Sequence, residues 1–275
     1  MRVAKAKGME KLVDWFVSNS DSAVVALSGG VDSAVVALAA KKALGDRALA
    51  ITADYKTLSQ EELDSARSVA REIGITHRVI QYDELENPEF VKNDGQRCYH
   101  CRTELGRHLA EEARKAGTEL IVDGTNLDDL LDYRPGIRAL RENGVRSPMV
   151  ELGIAKSEVR AIARNSGLSI YDKPSNACLA SRIPAGSEVT YERLRRIESS
   201  EIIVKTIFRV RQVRVRDHGE VARIEVGRDE LAKMFDSDRL ALLDRKLKEL
   251  GFKFVSIDAA GYRPGKLAVV GDGDE

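Results

Sequence analysis

The 275 residues are 43% apolar and 32% charged, which excludes a disordered chain and leaves ample length to bury a core. Lys+Arg and Asp+Glu each number 44, so the formal net charge is zero, whereas a chain whose main business is coating nucleic acid carries a positive excess. No apolar run reaches membrane-spanning length and the opening MRVAKAKGMEKL lacks the apolar stretch of a signal peptide, so the expected location is the cytoplasm, with no membrane partner.

In chain order, GMEKLVDWFVS (8–18) has the spacing of an amphipathic helix, and SAVVAL (22–27) that of a buried strand. A helix follows from about Asp32 to Leu44, closed by Gly45. Next come a strand (48–54), a helix (59–74), a strand (77–82), a helix (97–117) and a strand (119–124). After a long loop, a helix at 156–167 leads to a short strand-like LSIY. Strands alternating with helices of this length predict an α/β fold with a doubly wound parallel sheet. Such sheets bind ligands outside the carboxyl ends of their strands.

The pattern changes near residue 187. A helix at 190–207 is followed by strands 212–216 and 220–226, joined by the loop DHG. Helical segments (229–235, 238–250) and a strand (252–258) complete a smaller α+β domain, and GDGDE reads as a frayed tail. The expected domains are therefore 1–186 and 187–275.

Between the first strand and its helix stands LSGGVDS. Glycines there let backbone approach phosphate oxygens, and a helix start offers free N–H groups at the positive end of its dipole. Ser28, Gly29, Gly30, Val31, Asp32 and Ser33 are thus candidates for a phosphate cradle, with two hydroxyl donors. Asp32 would repel phosphate unless Mg²⁺ lies between them; the alternative is a tight turn with Asp32 as N-cap. No GK[ST] follows, so this is not a Walker A loop. It resembles the PP-loop of the ATP pyrophosphatases, SGGxDS, and the resemblance implies cleavage of ATP between its α- and β-phosphates. Ala53, Asp54 and Tyr55 end the next strand and are candidates for the adenosine end. Asn126, Asp128 and Asp129 follow the strand ending at Gly124; they suit nucleotide or metal, or ordinary loop and cap chemistry.

The three cysteines are too few for a secreted disulfide framework. Cys98 and Cys101 sit at i and i+3 of a helix start, so both sulfurs can meet one metal. Adding Cys178 gives three thiolates, a set that leaves one iron of a [4Fe–4S] cluster without a protein ligand. Zinc with His100 or His108 as the fourth ligand is the competing metal, and incidental thiols the plain alternative. Lys173 and Arg182 flank Cys178 in KPSNACLASRIPAG and would favour its thiolate.

GTNLDDLLDYRPG (124–136), SPMVELGIAKSEVR (147–160), KPSNACLASRIPAG (173–186) and GFKFVSIDAAGYRPG together resemble the LarE family, over almost the whole chain. The resemblance implies a sulfur transferase of nickel-pincer nucleotide synthesis. ATP adenylates a carboxylate of pyridinium-3,5-biscarboxylate mononucleotide, and a sulfur species then displaces AMP to give a thiocarboxylate. It also implies two variants. In one, the cysteine at the Cys178 position yields its own sulfur and becomes dehydroalanine. In the other, cysteines placed like Cys98, Cys101 and Cys178 hold a [4Fe–4S] cluster; all three are present. Homo-oligomers, hexamers among them, are implied as well.

In QVRVR, Arg214 and Arg216 share one strand face, and paired guanidiniums suit a phosphate monoester. By resemblance, Arg214, Arg216 and Ser181 match the substrate-phosphate site, and Arg263 a substrate contact. The alternative is a solvated strand face paired with Glu220 or Glu225; the chemistry of Glu225 and Asp229 stays open. Three other functions fit the same sequence features: tRNA thiolation, an ammonia-using PP-loop ligase, and a nucleotide sensor without turnover.

Overall fold

The computed structural model describes residues 3–131 and 135–263, with side chains from residue 8; the expected tail GDGDE lies outside the described residues. The chain packs as two compact units. One holds the chain up to Glu84 together with Gln96–Asn176; the other holds Leu85–Gly95 and the chain from Ala177 onward. The Cys178 segment thus packs with the second unit.

The first unit begins with α1 (Val3–Asn19), β1 (Ala23–Ala26), α2 (Val31–Leu44), β2 (Ala48–Asp54), α3 (Gln60–Ile73) and β3 (Thr76–Gln81). After α4 (Pro88–Val91), which belongs to the second unit, come α5 (Arg97–Lys115), β4 (Ile121–Val122), α6 (Pro135–Glu142), β5 (Val145–Arg146), α7 (Pro148–Glu151) and α8 (Lys156–Asn165). The strands form one five-stranded sheet, β3-β2-β1-β4-β5, with every pair parallel. This is the doubly wound sheet expected. Both faces are covered, as parallel sheets require. Val25 packs with Phe16 and Val35 under α1, α2, α3 and α8, while Val24 packs with Leu105 and Leu109 of α5. Local chemistry sets the helix ends: Ser59 accepts from Glu62 N to start α3, and Gly74 in a left-handed conformation stops it.

Two expectations in this unit need correction. LSIY is a turn following α8, not a strand. The fifth strand is instead β5, inside the stretch read as a long loop, which also holds α6 and α7. A two-residue strand is too short to show alternation.

Chain order runs β1, β2, β3 to one side and then crosses to β4 and β5 on the other. The switch point therefore falls between β1 and β4, where ligands of such sheets bind.

The second unit contains α4, α9 (Tyr191–Phe208), β6 (Val213–His218), β7 (Val221–Val226), α10 (Ser237–Glu249) and β8 (Phe254–Ile257). Its sheet, β6-β7-β8, pairs antiparallel and then parallel. Val213, Val215, Ile224 and Val226 bury against Val204 and Phe208 of α9 and Leu243 and Leu247 of α10. The β6–β7 connection is a two-residue turn at Gly219 and Glu220 rather than the three-residue DHG, since His218 pairs with Val221. The expected helix at 229–235 is only the short turn Leu231–Met234. The Asn93 amide ties the 85–95 excursion down, donating to the carbonyls of Pro184 and Ser187 at 2.8 Å each. No helix among the described residues is long and apolar enough to cross a membrane.

Candidate active site

At the carboxyl end of β1, the chain turns sharply into α2. Gly30 is the N-cap of α2 with extended backbone, and no side chain caps the helix. Asp32 is therefore not the N-cap, and the first-turn N–H groups of α2 are left for an anion. The serines brace the loop across its width. Ser33 Oγ donates to Gly30 O and accepts from Ser28 N, both at 3.1 Å, and lies 3.1 Å from Ser28 Oγ. Gly29 has φ +77, and a Cβ there would lie 2.5 Å from Glu62 O, so no other residue fits.

The loop after β4 closes against the same helix start. A Cβ on Gly124 would stand 2.5 Å from Ser33 N, so only glycine lets the β4 loop reach α2. Asn126 is buried; its Oδ1 accepts from Asp128 N at 3.0 Å and its Nδ2 lies 3.5 Å from Asp32 Oδ1. Asp129 accepts from Asn126 N, completing a capping box. Asp128 accepts from the backbone N–H of Lys156 at 2.6 Å. The Lys156 ammonium pairs with Asp32 Oδ2.

On the opposite side of the loop, the Lys173 ammonium donates to Gly29 O at 3.0 Å, Glu62 Oε2 at 3.0 Å and Ser65 Oγ at 2.8 Å. Asn176 donates to the other oxygen of Glu62 at 3.1 Å. Residues 173–176 thus reach the loop at the carboxyl end of β1 through side-chain hydrogen bonds. Lys173 braces the phosphate loop.

At the end of β2, Asp54 accepts from Gln81 at 3.0 Å and Ala53 is buried. Tyr55 lies 5.6 Å from the Tyr82 ring, which stacks on His108 at 4.4 Å. Burial pushes the Tyr82 phenol far above its ordinary range, so it stays protonated. Cys98 and Cys101 sit in the first turns of α5, half-buried and free of any disulfide. The Arg97 guanidinium lies 4.0 Å from Cys98 Sγ.

In the second unit, Cys178 heads the turn Leu179–Arg182 as a free, half-buried thiol. Arg182 is buried, and its Nε donates to Glu201 at 2.8 Å while its Nη1 donates to the carbonyls of Ala177 and Cys178 and to Ser181 Oγ. It holds the backbone of the cysteine turn. Arg216 donates to both oxygens of Glu225, at 3.0 and 2.7 Å, and to Ser181 O at 2.8 Å. Arg214 is buried, donates to Val213 O and lies over the Tyr262 ring at 4.9 Å. Burial first, then the cation of Arg182, pull its guanidinium below the ordinary arginine range. Arg214, Arg216 and Ser181 are thus brought together, on a buried face rather than a solvated one, with Glu225 as the arginine partner. Glu220 pairs instead with Lys253. Arg263 is exposed, at the end of the described residues.

The family model of the queuosine biosynthesis protein QueC matches residues 22–104, which span the phosphate loop and both cysteines of α5. An uncharacterized protein of Synechocystis sp. is 43% identical over 252 residues, covering 92% of this chain and 94% of its own. The pyridinium-3,5-bisthiocarboxylic acid mononucleotide synthase of Lactiplantibacillus plantarum is 32% identical over 245 residues, 88% of this chain and 87% of its own. The chain belongs to the LarE family. The tRNA-specific 2-thiouridylase MnmA of Azorhizobium caulinodans is also similar, 30% identical over 215 residues, but covers 64% of this chain and 55% of its own.

As a LarE-family chain, the protein is an ATP-dependent sulfur transferase with a PP-loop. Among the described residues, no three His, Cys, Asp or Glu side chains gather as a metal cage. Mg²⁺ needs no such cage: it takes one or two carboxylates and draws its other ligands from substrate phosphates and water, and Asp32 offers a carboxylate in the first turn of α2. For a cluster, the donor chemistry fits in kind, with three cysteines outside any disulfide and no fourth in the sequence. Lys156, Glu62, Asn176 and Glu201 escaped the sequence reading. Lys156 alone left a signal there, as a cation at the very start of the KSEVR helix.

Proposed function

We propose that this LarE-family enzyme adenylates a carboxylate of pyridinium-3,5-biscarboxylate mononucleotide and converts it to a thiocarboxylate. The observation that carries the reading is the uncapped start of α2 at the sheet's switch point, flanked by Ser28, Ser33 and Asp32. The α2 N–H groups and serine hydroxyls grip the pyrophosphate portion of ATP, Asp32 places Mg²⁺, and the β2 end (Ala53, Asp54) and Asn126 border the nucleoside. A substrate carboxylate oxygen attacks the α-phosphorus, pyrophosphate leaves, and sulfur then displaces AMP with that oxygen. Donors already fixed at the leaving group need no reorganisation as charge builds. In the second unit, Arg214, Arg216 and Ser181 bind the substrate phosphate.

Cys98, Cys101 and Cys178 would hold a [4Fe–4S] cluster with one iron free of protein ligands. When bound, it supplies the sulfur chemistry, which spares Cys178 from sacrifice. The first unit is the ATP domain, and the second serves substrate binding and assembly of a cytoplasmic homo-oligomer, a hexamer by family resemblance.

The test is pyrophosphate and AMP release by anaerobically reconstituted protein. Release that requires both Mg²⁺ and the mononucleotide supports the reading; none from a cluster-loaded sample overturns it. Iron and acid-labile sulfide should reach about four per chain and fall in Cys98→Ala, Cys101→Ala and Cys178→Ala alike. No iron, with Cys178 converted to dehydroalanine after one turnover, would establish the sacrificial variant instead.

A further inference from the structure

Lys156 sits where electrostatics alone would not put a cation. It is the first residue of α8, the positive end of that helix's dipole, and its ammonium lies beside the start of α2, a second positive end. Neither helix gains from it. Its charged partner among the described residues is Asp32, which is also the carboxylate best placed for Mg²⁺.

The placement is held firmly. Lys156 N donates to Asp128 at 2.6 Å, Leu127 N donates to Ile154 O at 3.0 Å, and Asn126 bridges from this loop to Asp32. Gly124 presses the same loop onto the backbone of Ser33. Yet the side chains of the pair are open enough for a ligand to reach, with 30% and 24% of their surfaces exposed. The main chain is fixed and the ammonium can swing.

We propose that Lys156 and Mg²⁺ compete for Asp32, and that Mg²⁺·ATP, on taking Asp32, turns the Lys156 ammonium onto the leaving pyrophosphate. This rests on the PP-loop reading above. The step moves no proton and no electrons: Asp32 exchanges an ammonium for a divalent cation, and the ammonium exchanges a carboxylate for phosphate oxygens. As the bond between the α-phosphorus and the bridging oxygen breaks, negative charge builds on pyrophosphate, and a cation there stabilises that charge more than the ground state.

The two halves predict opposite changes in Lys156→Ala. Without nucleotide, its Mg²⁺ midpoint should fall, because Asp32 loses a competitor, as Mn²⁺ binding read by EPR would show. Pyrophosphate release at saturating ATP and Mg²⁺ should slow about 10²-fold, as for loss of one preorganised donor. Affinity for Mg²⁺ with α,β-methylene-ATP should weaken about tenfold, one charged hydrogen bond. Lys156→Arg keeps the charge and should recover most of both. A lysine that merely propped the fold would worsen the Mg²⁺ midpoint and the rate together, in step with the melting temperature. That result, or unchanged release, overturns the proposal. Wild-type protein that binds no Mg²⁺·ATP at all would instead overturn the functional reading, and this inference with it.

Discussion

The Lys173 ammonium lies 3.0 Å from the carbonyl oxygen of Gly29, 144 residues earlier in the chain. The same nitrogen pairs with Glu62, whose carboxylate is nearly buried. Removing the lysine strips the phosphate loop of a brace and leaves that carboxylate uncompensated. Lys173→Met should therefore destabilise the protein by about 3 kcal/mol, the low end for a broken buried pair. Adding Glu62→Gln should restore part of the loss, as denaturant unfolding of the double-mutant cycle would read. Full additivity would mean the two do not interact.

Two glycines set how closely backbone approaches the helix start. Gly29→Ala meets both a left-handed backbone and Glu62 O at 2.5 Å; Gly124→Ala meets Ser33 N at 2.5 Å. Each must push the phosphate loop out of position, and displacements on the 1 Å scale cost about 10²-fold in rate. ATP-dependent pyrophosphate release should drop by about that factor in both, with secondary structure by circular dichroism unchanged. Wild-type rates in either would remove close approach as the reason for glycine.

In the second unit, Glu201 Oε1 accepts from Arg182 Nε at 2.8 Å and from Val215 N at 3.1 Å. The Arg182 side chain is fully buried. Arg182→Met leaves Glu201 charged without its cation, and a loss of about 3–5 kcal/mol is expected. Because Arg182 also holds the carbonyls of Ala177 and Cys178, alkylation of Cys178 by iodoacetamide should quicken in this variant. An unchanged alkylation rate would mean that other contacts order the turn.

His77 supports the floor of the phosphate loop. Thr52 Oγ1 donates to Leu27 O at 2.7 Å and so accepts from His77 Nε2 at 2.8 Å. Burial, and secondarily Arg67, hold the His77 pKa below its usual value. The unfolded chain then takes up a proton more readily than the folded one, so stability is complete above the ordinary histidine range and declines as pH falls through it. His77→Gln should flatten the stability profile between about pH 7 and pH 5. An identical slope in both proteins would assign the acid sensitivity elsewhere.

Local patterns were enough for much of this molecule. The alternation of apolar strands with helices announced a doubly wound sheet, SGGVDS at a strand-to-helix junction announced the phosphate loop, and the spacing of Cys98 and Cys101 placed both on one helix start. Each signal is written in neighbouring residues, where helix and strand periods act. What tertiary structure decided was partnership. β5 and α7 carry too few residues for a period, and the switch point between β1 and β4 depends on strand order, which no stretch of sequence encodes alone. Asp32 meets Lys156 across 124 positions, and Lys173 meets Gly29 across 144. Arg214 and Arg216 alternate as an exposed strand would, yet the fold covers their face and gives Arg216 to Glu225 and Ser181. A charge selects its partner by what the topology brings within reach, so those choices exist only once the chain has closed on itself.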